Sequence, residues 1–293
     1  MKNRWLAGRL HRAGVALGDK GDSEGALAKY SQALALDPDR AATHYNIGLI
    51  YKYQRRWRES FQSNQRAVDL APTDEAANWN LAIAATALRD WTVARGVWNS
   101  LGMKVEPGSD PIDDNFGSTP VRLHPDGGAE VLWASRICPV RARLQNIPLP
   151  ESGFRYGDVV LHDGAAVGYR RDADGSERAV FNVFELFEIS SFATFEVRVV
   201  APAQADIEAL IERCDAAHIP CEDWTASVRY LCRACSEGRP HDLHDHEQAR
   251  ADWNPERRMG IATPDPLKLH EAVKDWTSAS RHAQHIRAVL SST

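Results

Sequence analysis

Cys232-Arg-Ala-Cys235 is followed by Ser-Glu-Gly-Arg-Pro and then by His241-Asp-Leu-His244-Asp-His246, which places five metal-competent side chains within fifteen residues. Two thiolates three positions apart can grip one ion from a tight turn, and Gly238 and Pro240 let the chain fold imidazoles back toward it. Zinc takes four nitrogen or sulfur ligands in a tetrahedron. Cys232, Cys235, His241 and either His244 or His246 would supply them. Four protein ligands make a closed, structural site; a catalytic zinc keeps one position open. The loop between the two pairs is shorter than in a standard zinc finger. The same residues also read as two reduced cysteines in a strand beside a solvated histidine loop, and spacing alone leaves both readings open. Asp242, Asp245 and Glu247 read either as groups orienting the imidazoles or as solvated charges.

Other chemistry is sparse. Zinc nucleobase deaminases place a His-x-Glu ahead of Pro-Cys-x-x-Cys, whereas no proline precedes Cys232 here and the histidines follow it. There is no glycine-rich phosphate loop and no Gly-x-Ser-x-Gly elbow. A nucleophilic pair from Cys235 and His241 is the remaining catalytic option. Cys214 falls on the apolar stripe of a helix and is expected in a core, and Cys138 and Cys221 have no partner spacing. Five cysteines, an odd number, argue for a reducing compartment, and the arginines at 9 and 12 interrupt any apolar leader. The expected location is the cytosol. A net charge of -5 gives no support for nucleic acid or an anionic membrane as partner.

The elements that must position these groups begin with a repeat. Gly14, Gly48 and Ala82 stand 34 residues apart, as do Ala26, Ser60 and Ala94. Ala33 and Ala67 continue the register, with Leu101 in the third copy, and Pro38 and Pro72 close the first two. Repeat starts fall at Ala7, Ala41 and Glu75. The period resembles the tetratricopeptide repeat family, whose helical hairpins need a glycine or alanine on one helix facing a small residue on the next. The resemblance implies an all-α solenoid of three hairpins over residues 7–108, and a protein or peptide as partner.

In that family the groove is lined by the first helix of each hairpin. Carried onto this chain, the lining is His11, Tyr45, Asn46, Leu49, Lys52, Tyr53, Trp79, Asn80 and Ile83. Tyr45 and Trp79 are the expected anchors, because aromatic side chains dominate binding energy at concave surfaces. One subfamily grips a C-terminal carboxylate with basic residues and asparagine. Asn46 matches that clamp, but the third copy offers Ala76 and Asn80 where basic residues are needed, which argues against a chaperone tail.

Beyond the repeats the composition turns to Pro-Gly-Ser-Asp, and residues 109–118 read as a linker. Short apolar runs then follow at Val121–Leu123, Ala129–Trp133, Val140–Ile147, Val159–Leu161 and Ala179–Leu186. The dipeptides Asp126-Gly127, Asp163-Gly164 and Asp174-Gly175 read as hairpin turns between them. Residues 119–190 are therefore expected to form a small antiparallel β domain. In residues 191–293, Phe192–Val200 alternates as a half-buried strand, and Ile207, Leu210, Ile211 and Cys214 make a helical stripe after Pro202. Strands at Ser227–Leu231 and Arg258–Ala262 follow, then a helix after Pro266 with Leu269, Ala272, Val273 and Trp276 facing inward. That order predicts a ferredoxin-like α/β unit carrying the cysteine–histidine cluster. Glu130-Val-Leu-Trp133, Asn146-Ile-Pro-Leu149, Gly157-Asp-Val-Val160 and Phe192-Ala-Thr-Phe-Glu-Val197 resemble a bacterial domain family of unknown function, which implies this architecture and no activity.

The sequence thus predicts a multidomain chain, helical repeats at 1–108 and then α+β, acting as a non-enzymatic interaction protein. A narrower version is an inhibitor or immunity protein for a bacterial toxin. The rival class is a metal-dependent enzyme with an open zinc position near His244 and His246.

Overall fold

The computed structural model of the chain describes residues 2–125, 129–171, 175–226, 230–231 and 253–291. They divide into two compact units, residues 1–113 and 114–293.

The first unit is helical: α1 (Lys2–Gly18), α2 (Ser23–Leu36), α3 (Ala41–Tyr53), α4 (Trp57–Leu70), α5 (Glu75–Ala87) and α6 (Trp91–Ser100). Aspartates start three of them. Asp22 accepts from the Gly25 N–H, Asp74 from Ala77 and Asp90 from Val93, each satisfying a donor that the first turn leaves free. Each first helix of a pair ends at a left-handed residue, and those residues also keep the repeat spacing: Gly21, Arg55 and Arg89, with φ of 82°, 57° and 61°. Glycine takes that conformation freely, whereas the two arginines are strained in it.

Close approach within the pairs rests on the two repeated glycines. A Cβ on Gly14 would lie 2.5 Å from the Tyr30 ring, and one on Gly48 would lie 2.4 Å from the Asn64 amide. The glycines therefore face large side chains lying flat across the opposite helix; the small Ser60 instead donates its hydroxyl to the Gly48 carbonyl at 2.9 Å. After α6 the Pro-Gly stretch is strapped back onto that helix. Asn99 bonds Val105 through both its amide groups, and the Arg95 guanidinium donates to the carbonyls of Glu106, Asp110 and Pro111.

The second unit holds two sheets. Strands β1 (Ser118–Leu123), β2 (Ala129–Cys138), β3 (Arg141–Leu144), β4 (Val159–Arg171) and β5 (Glu177–Glu188) form a meander. β1 pairs with both β2 and β5, so the meander closes on itself. Five alternating strands bring the first and last together pointing the same way, and β1–β5 is accordingly parallel. The interior holds Val121, Leu123, Leu132, Ala134, Leu144, Phe154, Val160 and Val183. Asp163-Gly164 is not a turn. β4 runs through it, with a bulge in which the five residues from His162 to Ala166 lie opposite three of β5, Val183 to Phe181. Asp163 closes the bulge locally, accepting from the Ala165 N–H at 3.4 Å. The other two turn dipeptides include residues outside those described.

The second sheet is built from β6 (Ala193–Val200), β7 (Cys221–Asp223), β9 (Glu256–Thr263) and β10 (His282–Leu290), with α7 (Gln204–Ala216) and α8 (Pro266–Trp276). Its order is β10-β6-β9-β7, antiparallel throughout. The two helices cover one face, where Phe195, Val197, Leu210, Cys214, Ile261, Leu269, Val273 and Trp276 make the core. The strand expected at Ser227–Leu231 contributes Tyr230–Leu231 as β8, which joins the other sheet opposite Ala129 and Glu130 of β2.

A seam joins the two sheets. Trp224 lies on Gly260, where a Cβ would come 2.2 Å from the indole, and its Nε1 donates to the Ile147 carbonyl at 3.1 Å. The Glu222 carboxylate accepts from the Asn146 amide and the Ile147 N–H, and buried Glu130 accepts from the Leu149 N–H. Asn146 also accepts from the Trp133 N–H, and Tyr156 packs edge-on to Phe192. Phe192 also packs against the cluster of Ile147, Leu149 and Trp224 and borders Gly157, so the four short sequence motifs meet in one place.

Candidate functional site

The expected groove residues sit on α1, α3 and α5. His11 is half-buried, with Nδ1 at 3.0 Å from the Thr43 hydroxyl, which ties α1 to α3. Burial holds its pKa below the ordinary imidazole value, and the nearby guanidinium charges of Arg40 and Arg12 add to that. Its ring lies 5.6 Å from that of Tyr30. The Tyr30 hydroxyl is raised in pKa by burial and by Asp19, and it shares a hydrogen bond with Asn46. His11, Thr43, Tyr30 and Asn46 are therefore one connected cluster spanning α1, α2 and α3.

Farther along α3, Tyr45 and Leu49 are half-buried. Tyr53 is 59% exposed, and the ammonium of the buried Lys52 lies 4.6 Å from the centre of its ring. On α5, Trp79 packs edge-on against Trp98 of α6 at 4.9 Å, so it is half committed to its own hairpin. Asn80 and Ile83 are buried, at 5% and 1% exposure. Of the expected lining, His11, Tyr45, Asn46, Leu49, Tyr53 and Trp79 retain surface.

Thr43, Tyr30, Asn64 and Trp98 were not anticipated. The last three were discoverable, because 30, 64 and 98 repeat the same 34-residue spacing opposite Gly14, Gly48 and Ala82. Cys232, Cys235, His241, His244 and His246 lie outside the described residues. Among the described residues no group of three or more His, Cys, Asp or Glu is placed to hold a metal ion. Among them also, no helix is long and apolar enough to cross a membrane.

Residues 14–54 match the tetratricopeptide repeat (TPR repeat) family. No curated protein matches the chain in sequence. Among solved structures, the second TPR of Spaghetti (RPAP3) bound to an HSP90 peptide is 20% identical, with a TM-score of 0.33, over 35% of this chain and 96% of that one. The N-terminal domain of stress-induced protein-1 from C. elegans is 20% identical, with a TM-score of 0.31, over 33% of this chain and 83% of that one. A hypothetical protein from Neisseria gonorrhoeae is 12% identical, with a TM-score of 0.29, over 60% of this chain and 96% of that one. Register, glycine contacts and family match agree on the helical unit: residues 14–54 are a tetratricopeptide-repeat segment.

Proposed function

We propose that the protein is a non-enzymatic adaptor that holds a protein or peptide partner on the α1, α3 and α5 faces of a three-copy TPR array. The carrying observation is the shared 34-residue register of Gly14, Gly48 and Ala82, of which the segment matched to the family contains the first two positions. His11, Tyr45, Asn46, Leu49, Tyr53 and Trp79 supply the open part of the lining, with Lys52, Asn80 and Ile83 beneath it. Tyr53 offers the most exposed ring of the expected lining, backed by the Lys52 cation. Asn46 is already bonded to Tyr30, and Ala76 and Asn80 carry no positive charge, so the reading favours an internal peptide segment over the kind of HSP90 peptide bound by Spaghetti. The chain is placed in the cytosol on its cysteine usage.

The finer domain reading belongs to the same proposal: a linker at 109–118, a β domain at 119–190 and an α/β domain at 191–293. The strand order β10-β6-β9-β7, split by α7 and α8, supports a ferredoxin-like description of the last. Structural zinc on Cys232, Cys235, His241 and His244 or His246 is proposed from spacing alone. Metal analysis of protein purified without chelator or nickel tests it: one zinc per chain, lost in Cys232→Ser/Cys235→Ser, is expected, and metal-free protein retires the site. For the groove, the decisive experiment is partner retention by Tyr45→Ala and Tyr53→Ala variants that melt like wild type.

A further inference from the structure

The face of the four-stranded sheet opposite its helices carries an arrangement that the fold alone does not require. Glu196 of β6 is 4% exposed, and three arginines converge on it. Arg258 Nε donates to Oε2 at 2.8 Å, Arg198 Nε donates to Oε1 at 3.1 Å, and Arg287 Nη2 lies 3.9 Å from Oε2. The strand register makes this costly. Arg198 stands directly across from Arg258, and like charges opposite one another in an antiparallel pair destabilise it. Glu151, 3.6 Å from Arg258, relieves that arginine in part. Among the described residues Glu196 is the one carboxylate paired with Arg198 and Arg287, whose side chains are 64% and 62% exposed.

We propose that this face is a docking surface for an acidic segment of a protein partner, with Arg198 and Arg287 receiving its carboxylates. Glu196 positions the guanidinium groups: Arg198 and Arg258 spend their Nε–H on it, which leaves terminal N–H groups for an incoming carboxylate in a fork–fork pair. Two observations favour a short acidic peptide over a nucleic acid. Glu151, paired with Arg258, and Glu256, two residues before Arg258 on the same face of β9, interrupt the basic cluster, so it cannot track a polyanion, and the nearby Trp224 ring is buried beneath Arg258, which leaves it closed to base stacking. The surface is independent of the helical groove.

The test is fluorescence anisotropy of the full chain with a labelled peptide of alternating Glu and Gly at about 20 mM salt, where screening is weak. Controls are the Gln–Gly analogue and a thymidine oligonucleotide of equal charge. Binding of the Glu peptide, weakened about tenfold or more in Arg198→Gln/Arg287→Gln and untouched by Tyr45→Ala, is expected. Absence of binding, equal binding of the Gln peptide, tighter binding of the oligonucleotide or full binding by the variant overturns the proposal. Should the double variant melt early, Arg287→Gln alone decides, since that side chain is exposed and makes one long ion pair among the described residues.

Discussion

At the scale of single residues, three positions make the account measurable. Gly48 has no room for a methyl group, because Asn64 is buried across it and donates to the Ser60 carbonyl at 2.8 Å. Gly48→Ala is expected to cost about 1–3 kcal/mol in urea unfolding, as overpacking does; an unchanged midpoint would mean the hairpin is looser than described. Arg55 holds φ at 57°, so Arg55→Gly is expected to stabilise by about 0.5–1 kcal/mol, relief of left-handed strain outweighing the entropy of glycine. His162 is fully buried, and burial lowers its pKa from 6.5 to about 4. Its Nδ1 must carry the proton, since it bonds the Asp163 carbonyl at 2.8 Å and a carbonyl only accepts. The unfolded imidazole binds a proton near pH 6.5 and the folded one only near pH 4, so the unfolded state holds more protons between them. Stability is therefore full above pH 6.5 and falls on the order of 3 kcal/mol as pH drops toward 4. A His162→Phe variant should show a flatter slope in that window, and an identical slope would assign the acid loss elsewhere.

At the scale of elements, legibility followed periodicity. The helices were readable because the small residues and turns recur at a fixed interval, and α7 and α8 because Ile207, Leu210 and Cys214, then Leu269, Val273 and Trp276, keep a helical stripe. The sequence carries no strand signal at β10. It lies at the sheet edge and is mostly exposed, so His282–Leu290 carries no clean alternation. β7 is three residues long and gives too little pattern to recognise. Asp163-Gly164 has the composition of a hairpin turn, yet the same residue types serve a bulge, and only pairing with β5 separates the two. The site was half legible for a related reason. A family register predicts which helix face lines a groove, but it does not predict that Asn46 is engaged by Tyr30 or Trp79 by Trp98.

At the scale of the whole molecule, the chain combines a repeat unit with an α/β unit whose two sheets are locked by Trp224 and Glu222. A net charge of -5 coexists with a local arginine cluster around Glu196, so an acidic protein surface is a better match for that face than the composition alone suggests. The central claim is that the α1, α3 and α5 faces hold a partner. Its most direct measurement is cross-linking mass spectrometry on the chain co-purified from its own cells, wild type beside Tyr45→Ala/Tyr53→Ala. The account predicts one partner in stoichiometric amount, cross-linked to residues on those three helices and absent from the variant at unchanged melting temperature. A partner retained in full by the variant, or cross-linked elsewhere only, would contradict it.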